Sequence, residues 1–182
     1  MKVFETKIPG LLEIEPAIFG DERGYFYESY NRQKFHDAGI TDDFVQDNQS
    51  KSGAGVLRGL HFQNPPYEQG KLVRVIHGSV LDVAVDIRQN SPTYGEHHKV
   101  MLSGDNKKIF WIPPGFAHGF VTLEDDTIFA YKCTGFYNKE SEGSVHWNDP
   151  DLNIDWGVSN PSLSEKDIEA PVFADLESQF KF

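Results

Sequence analysis

The chain has a single cysteine, Cys133, so no intrachain disulfide can form and folding does not depend on an oxidising compartment. No stretch approaches the ~18 apolar residues of a membrane helix, and the first ten residues lack the apolar core of a secretory signal. A soluble protein of the cytoplasm, with no membrane partner, is expected. Basic residues are scarce: 17 Lys and Arg stand against 28 Asp and Glu, a formal charge of -11. That balance argues against a general nucleic-acid or anionic-membrane surface, which would need a concentrated basic face. An anionic small molecule remains compatible, provided the few Arg and Lys gather in a concave site. The sequence also contains no internal repeat, heptad run or low-complexity segment.

What is present points to strands and turns. The 182 residues fit one domain, 1–182, long enough for a hydrophobic core. Fourteen Phe, 16 Gly and 10 Pro suit many short strands joined by tight turns. The regular alternation of strand and turn across residues 56–134 predicts an all-β antiparallel sandwich or barrel, a jelly roll with a few short peripheral helices. Asn31 is a plausible cap for a short helix carrying Phe35 and ended by Gly39, expected to act as a lid or spacer. Ser164 is a cap for another. Val80 to Ile87 reads as a half-buried strand, with Asp82, Ala84 and Asp86 on the polar side. Trp147 and Trp156 lie in a segment that looks like a wrapping.

The richest stretch is residues 56–75. Val56 to Gln63 reads as one strand and Lys71 to Ile76 as the next, with Asn64, Pro65, Pro66 and Gly70 making a long hairpin loop between them. If these strands pair, His61 and Lys71 meet, placing a proton acceptor beside a fixed positive charge, as enolate chemistry requires. The alternative is a hydrogen-bonded structural histidine and a solvated lysine. Arg58 falls on the face opposite His61 by strict alternation, and a bulge at Gly59 would bring both inward. The amide-rich run Gln46-Asp47-Asn48-Gln49 can both donate and accept hydrogen bonds, which suits a pyrimidine edge, or it is simply a polar strand end. His118 follows the rigid Pro113-Pro114-Gly115 turn. Tyr131 shares a strand face with Phe129 and Cys133, as a structural tyrosine or a catalytic one.

Five blocks in order carry a resemblance: Gly20-Asp21-Glu22-Arg23-Gly24, Phe44 to Asn48, Val56 to His61, Gly70 to Arg74, and Pro114 to Phe120. Together they resemble the dTDP-4-dehydrorhamnose 3,5-epimerase family over about residues 2–170. The resemblance implies a cupin-type jelly roll, a homodimer, and cofactor-free epimerisation of dTDP-4-dehydro-6-deoxy-D-glucose at C3 and C5. It assigns the proton acceptor to His61, its acid partner to Asp167 and the tyrosine acid to Tyr131, with Tyr137 as rival. Lys71 is read as supplying the positive field for the enolate. Substrate contacts are implied for Arg23, Phe26, Glu28, Gln46, Asp47, Asn48, Arg58, Lys71, His118, Glu142 and Lys166. Those between Arg23 and Glu28 are expected to reach across the dimer.

Three rivals remain open at this level: a metal-dependent cupin, a non-catalytic sugar-nucleotide binding module, and an epimerase or ketoisomerase for another dTDP-sugar. Metal sites in this fold usually need a second histidine two residues after the first, and here that position is Gln63. The adjacent His97 and His98 face opposite ways on a strand. No metal and no cofactor are expected.

Overall fold

The computed structural model describes residues 1–182. In chain order the first elements are β1 (Lys2–Glu5), β2 (Leu12–Glu15), β3 (Ile18–Asp21), β4 (Gly24–Tyr27) and helix α1 (Arg32–Asp37). Then come β5 (Gln46–Ser52), β6 (Leu57–Gln63), β7 (Lys71–His77), β8 (Ser79–Asp86), β9 (His97–Ser103), β10 (Ile109–Ile112), β11 (Phe116–Thr122) and β12 (Thr127–Cys133). The short β13 (Glu142–Ser144) and helix α2 (Glu165–Ile168) complete the set. Two antiparallel sheets result, ordered β1-β2-β10-β7-β12-β5 and β13-β6-β11-β8-β9, and β3 with β4 forms a separate ribbon. This is the expected cupin-type jelly roll with short helices outside it.

Alternation along the strands builds the interior. Val73, Val75, Phe110 and Phe129 of the six-stranded sheet meet Val80, Ala84, Phe116 and Phe120 of the five-stranded one. The outer face of the five-stranded sheet is also covered: Val83, Val85 and Ile87 pack under Leu152, Ile154, Trp156 and Phe180. The tryptophan-bearing segment thus wraps the sheet as expected, with Trp156 Nε1 donating to the Trp147 carbonyl at 2.8 Å. In consequence β8 is buried on both faces, not half-buried as its alternation predicts. Its polar positions are tolerated because they are partnered: Asp86 accepts from Arg88, Ser91 and Thr93 at 2.6–2.9 Å.

On the outer face of the six-stranded sheet, Ile14, Leu72, Ile109 and Trp111 are capped by Phe35 and Ile40. Helix α1 begins where Asn31 Oδ1 accepts the Lys34 N–H at 3.2 Å, and the chain leaves it through Gly39 at φ +88°. Expected to be a lid or spacer, α1 instead seals this apolar patch with Phe35, which is 2% exposed. The aromatic strand β4 ends at Tyr27, and the Tyr30 ring turns to pack on Phe35 and Phe44, each 5.3 Å away. The ribbon is moored to the body by Arg74, which donates to the Tyr27 hydroxyl at 3.3 Å, and by Lys107, whose ammonium sits 4.0 Å from the Tyr25 ring centre.

The expected pairing of β6 with β7 does not occur. β6 bonds β11 and β13, whereas β7 bonds β10 and β12 in the opposite sheet. The Asn64 to Gly70 segment crosses between sheets, and His61 and Lys71 meet across the sandwich interior. No helix is long and apolar enough to cross a membrane.

Candidate active site

The site is built on an irregularity in β6. Between the pairs His61↔His118 and Arg58↔Phe120, β6 advances three residues while β11 advances two. The extra residue is absorbed at Gly59, with φ +140°, where a Cβ would stand 2.4 Å from Gly119 Cα. Only glycine fits so close to the facing backbone. The bulge expected there is present, and Arg58 and His61 line one cavity of about 340 Å³ together with Lys71, His118, Asn48, Tyr131 and Asp167.

Asp167 is placed by the helix it belongs to. Ser164 caps α2, and Asp167 closes the capping box: its Oδ2 accepts from the Ser164 hydroxyl at 2.7 Å and the Ser164 N–H at 3.3 Å. That leaves Oδ1 facing β6, where it accepts from His61 Nε2 at 2.7 Å and from the Gly59 N–H at 3.4 Å. Burial alone would raise the Asp167 pKa, but the bonds from His61 and Ser164 outweigh it and hold the carboxyl at about 2. His61 is therefore fixed through Nε2 to a charged carboxylate, with Nδ1 left for other work.

Lys71 enters from the six-stranded sheet. Its Nζ donates to the His61 carbonyl at 3.5 Å, and no carboxylate lies within ion-pair distance of it. Burial lowers its pKa, partly opposed by the anionic groups around it. Tyr131, paired with Asn48 across β12 and β5, has its phenol pKa raised by burial. Beneath these groups Phe120 and Phe129 stack at 4.0 Å, and His118 lies over Phe129 at 6.3 Å. His118 Nε2 is 2.9 and 3.0 Å from the two oxygens of Asp82, which is completely buried. Asp82 is the site residue that sequence reading passed over. An acidic residue among Val80, Val83 and Ala84, on a strand beside that of His118, was its signal.

The remaining predicted residues are dispersed. Gln46 bonds Asn48 at 3.1 Å and accepts the Tyr137 N–H at 3.1 Å, one strand position beyond the cavity. Asp47 points to the other face of β5 and bonds Lys132 at 2.9 Å, so it does not reach this chain's cavity. Glu142 and Lys166 pair at 2.8 Å, linking β13 to α2. Arg23, paired with Asp21 at 2.5 Å, Glu28, paired with Lys34, and the exposed Phe26 lie on and beside the ribbon, outside the cavity. Tyr137 is 57% exposed on the loop after β12 and does not line the cavity. Gln63 is committed to that loop and the crossing segment: it donates to the Tyr67 carbonyl at 2.5 Å and accepts the Asn138 N–H at 2.9 Å.

A family model described as dTDP-4-dehydrorhamnose 3,5-epimerase matches residues 5–175. The protein of that name from Shigella flexneri is 54% identical over 178 residues, 97% of this chain and 98% of its own. A Legionella pneumophila dTDP-6-deoxy-D-glucose-3,5-epimerase, solved with dTDP-4-keto-L-rhamnose, superposes with a TM-score of 0.93 at 53% identity, covering 97% of this chain and 94% of that one. A 3'-monoepimerase from Streptomyces bikiniensis, solved with dTDP-quinovose, matches at 34% identity with a TM-score of 0.88, over 93% of this chain and 86% of that one.

Proposed function

This chain belongs to the dTDP-4-dehydrorhamnose 3,5-epimerase family, and from that premise we infer that it inverts C3 and C5 of dTDP-4-dehydro-6-deoxy-D-glucose to give dTDP-4-dehydro-L-rhamnose. One observation carries the assignment of roles. The His61–Asp167 pair stands on one wall of the cavity, while Lys71 and Tyr131 stand on the wall formed by the opposite sheet. A sugar ring between the walls has a base on one face and an acid on the other, which is the arrangement inversion needs.

The carbons beside a ketone lose protons only when the developing enolate is stabilised and the base is in place. His61 Nδ1 removes the proton, and the Asp167 carboxylate stabilises the imidazolium that results. The Lys71 ammonium faces the enolate oxygen. Tyr131 returns a proton from the far side. Each step moves only protons, which these side chains can carry. Arg58, whose guanidinium meets only the Ser52 hydroxyl at 3.2 Å, is free to grip the diphosphate in pairs of hydrogen bonds. Asn48 and Gln46 offer amides to the thymine edge, and Glu142, Lys166 and His118 flank the sugar nucleotide.

The functional unit in this reading is a homodimer in which Arg23, Phe26 and Glu28 complete the neighbour's cavity. Support comes from the ribbon, where Phe19, Tyr25 and Phe26 are 58–66% exposed in the single chain. Such clustered apolar exposure marks contact surfaces. The central test is incubation with dTDP-4-dehydro-6-deoxy-D-glucose in D2O, followed by NMR at both carbons. Deuterium at C3 and C5 with inversion at both is expected. Incorporation at C3 alone would instead indicate a monoepimerase.

A further inference from the structure

Asp82 and Asp86 are both fully buried on β8, yet only one is neutralised. Asp86 is gripped by the Arg88 guanidinium and two hydroxyls. Asp82 lies between the sheets beside Val80 and Ala84, and its one hydrogen-bonding partner is His118 Nε2. Burial lowers the His118 pKa further than Asp82 raises it, so the ring is neutral and donates its Nε2 proton to the carboxylate. Both Asp82 oxygens face that one N–H, and no Lys or Arg lies within ion-pair distance of the carboxylate. An uncompensated charge in an apolar floor is costly and calls for a counter-ion.

Lys71 and Arg58 both line the cavity with His118, but Arg58 donates to the Ser52 hydroxyl, whereas Lys71 Nζ meets only the His61 carbonyl at 3.5 Å, and the field of Asp82 opposes the fall of its pKa. Other groups around Lys71 do not balance its charge. Cys133 and Tyr131 on β12 are neutral, because burial raises both pKa values. On β13, Glu142 is already paired with Lys166, which itself repels Lys71. The Asp167 carboxylate on α2 is committed to His61 and Ser164, and β6 offers only the His61 carbonyl and the like-charged Arg58. We propose that Asp82 is the counter-charge of Lys71, acting through the neutral His118 ring as a positioning residue that keeps the lysine an ammonium as the enolate forms. This rests on the reading of Lys71 as the enolate's cation. Through-space stabilisation over one imidazole is substantial where the dielectric is low.

The test reads Lys71 directly. In full-length protein carrying ¹⁵Nζ-labelled lysine, the Lys71 resonance is assigned by its loss in Lys71→Arg and titrated in the wild type and in Asp82→Asn. The expected result is a midpoint at least one pH unit lower in Asp82→Asn, with the alkaline limb of kcat/KM for solvent exchange moving down with it and the acid limb unmoved. An unchanged Lys71 midpoint in folded Asp82→Asn overturns the proposal, even if activity falls at every pH, and leaves the epimerase reading intact. A shifted midpoint with a wild-type alkaline limb overturns it differently, by removing the lysine charge from the reaction. If Asp82→Asn does not fold, the same titration is read in Asp82→Asn/His118→Gln, which keeps an amide pair in the floor without the charge.

Discussion

Asp167 serves His61 with one carboxylate oxygen and its own helix with the other: Oδ1 lies 2.7 Å from His61 Nε2, and Oδ2 lies 2.7 Å from the Ser164 hydroxyl. The cap that starts α2 thereby aims the carboxylate at the base, and the histidine inherits its orientation from a helix terminus. Asp167→Asn keeps the shape and removes the charge. Solvent exchange at C3 and C5 should fall about 10²- to 10⁴-fold, the range for loss of general acid–base function, while dTDP still binds. Exchange at near wild-type rate would exclude the dyad.

The same carboxylate predicts a pH signature in stability. Its folded pKa is lowered to about 2 from 3.8, so its contribution is complete above about pH 4 and is lost as pH falls toward 2. The difference in unfolding free energy between wild type and Asp167→Asn should be constant at neutral pH and shrink across that acid window. Denaturant melts at pH 7, 4 and 2.5 measure it. A difference independent of pH would mean that the variant loses packing rather than an ionic bond.

Much of this site was legible because local rules coincided with chemistry. Ser164 is legible as a helix cap, and the Arg58-Gly59 pair implies a bulge wherever Arg58 and His61 share a cavity, whereas Asp167 follows only from the family resemblance. Pro, Asn and Gly serve a hairpin loop and a crossing between sheets equally well, so the sequence does not separate a β6–β7 hairpin from the crossing observed. Asp47 lies within an amide-rich run, but the two-residue period of a strand sends it to the other face from Asn48. Asp82 was hidden for a deeper reason. Its partner is 36 residues away, and periodicity reports which face a residue occupies but not whether that face meets solvent or a histidine.

The close approach of β6 and β11 gives a steric prediction. A methyl group at Gly59 collides with Gly119 Cα and comes within 2.9 Å of the His118 carbonyl, besides opposing φ +140°. Gly59→Ala should destabilise by about 1–3 kcal/mol or more through overpacking. It should also weaken exchange, because the displaced residues carry Arg58 and His61. Gly24 is a control: its φ is +128°, but nothing lies within 4 Å of a Cβ there. A melting temperature for Gly59→Ala no lower than that of Gly24→Ala would show that backbone angle, not crowding, sets the cost.

Complementation tests the proposed dimer. If Arg23 reaches the neighbour's cavity, mixing inactive Arg23→Ala with inactive His61→Ala subunits restores activity, because one site of each hybrid carries neither lesion. At equal mixing about half the dimers are hybrids with one intact site each, so recovery approaches a quarter of the wild-type rate per subunit, an estimate from symmetric pairing. No recovery after verified subunit exchange would place Arg23 in its own chain's site.

The base and the acid stand on opposite sheets, so their loss should fail in different ways. Without Tyr131, His61 can still remove a proton and Lys71 can still hold the enolate; the intermediate forms and is quenched from the side it came from. Tyr131→Phe in D2O should keep measurable deuterium uptake with retained configuration at one carbon at least, while doubly inverted product falls about 10²- to 10⁴-fold. His61→Ala, by contrast, should lose exchange and inversion together. Tyr137 is the natural comparison, since it lies on the loop after β12 and its N–H, not its ring, is fixed by Gln46. Tyr137→Phe should invert both centres at near wild-type rate. If instead Tyr137→Phe stops inversion and Tyr131→Phe does not, the acid comes from the loop, and the wall of the six-stranded sheet supplies only the Lys71 charge.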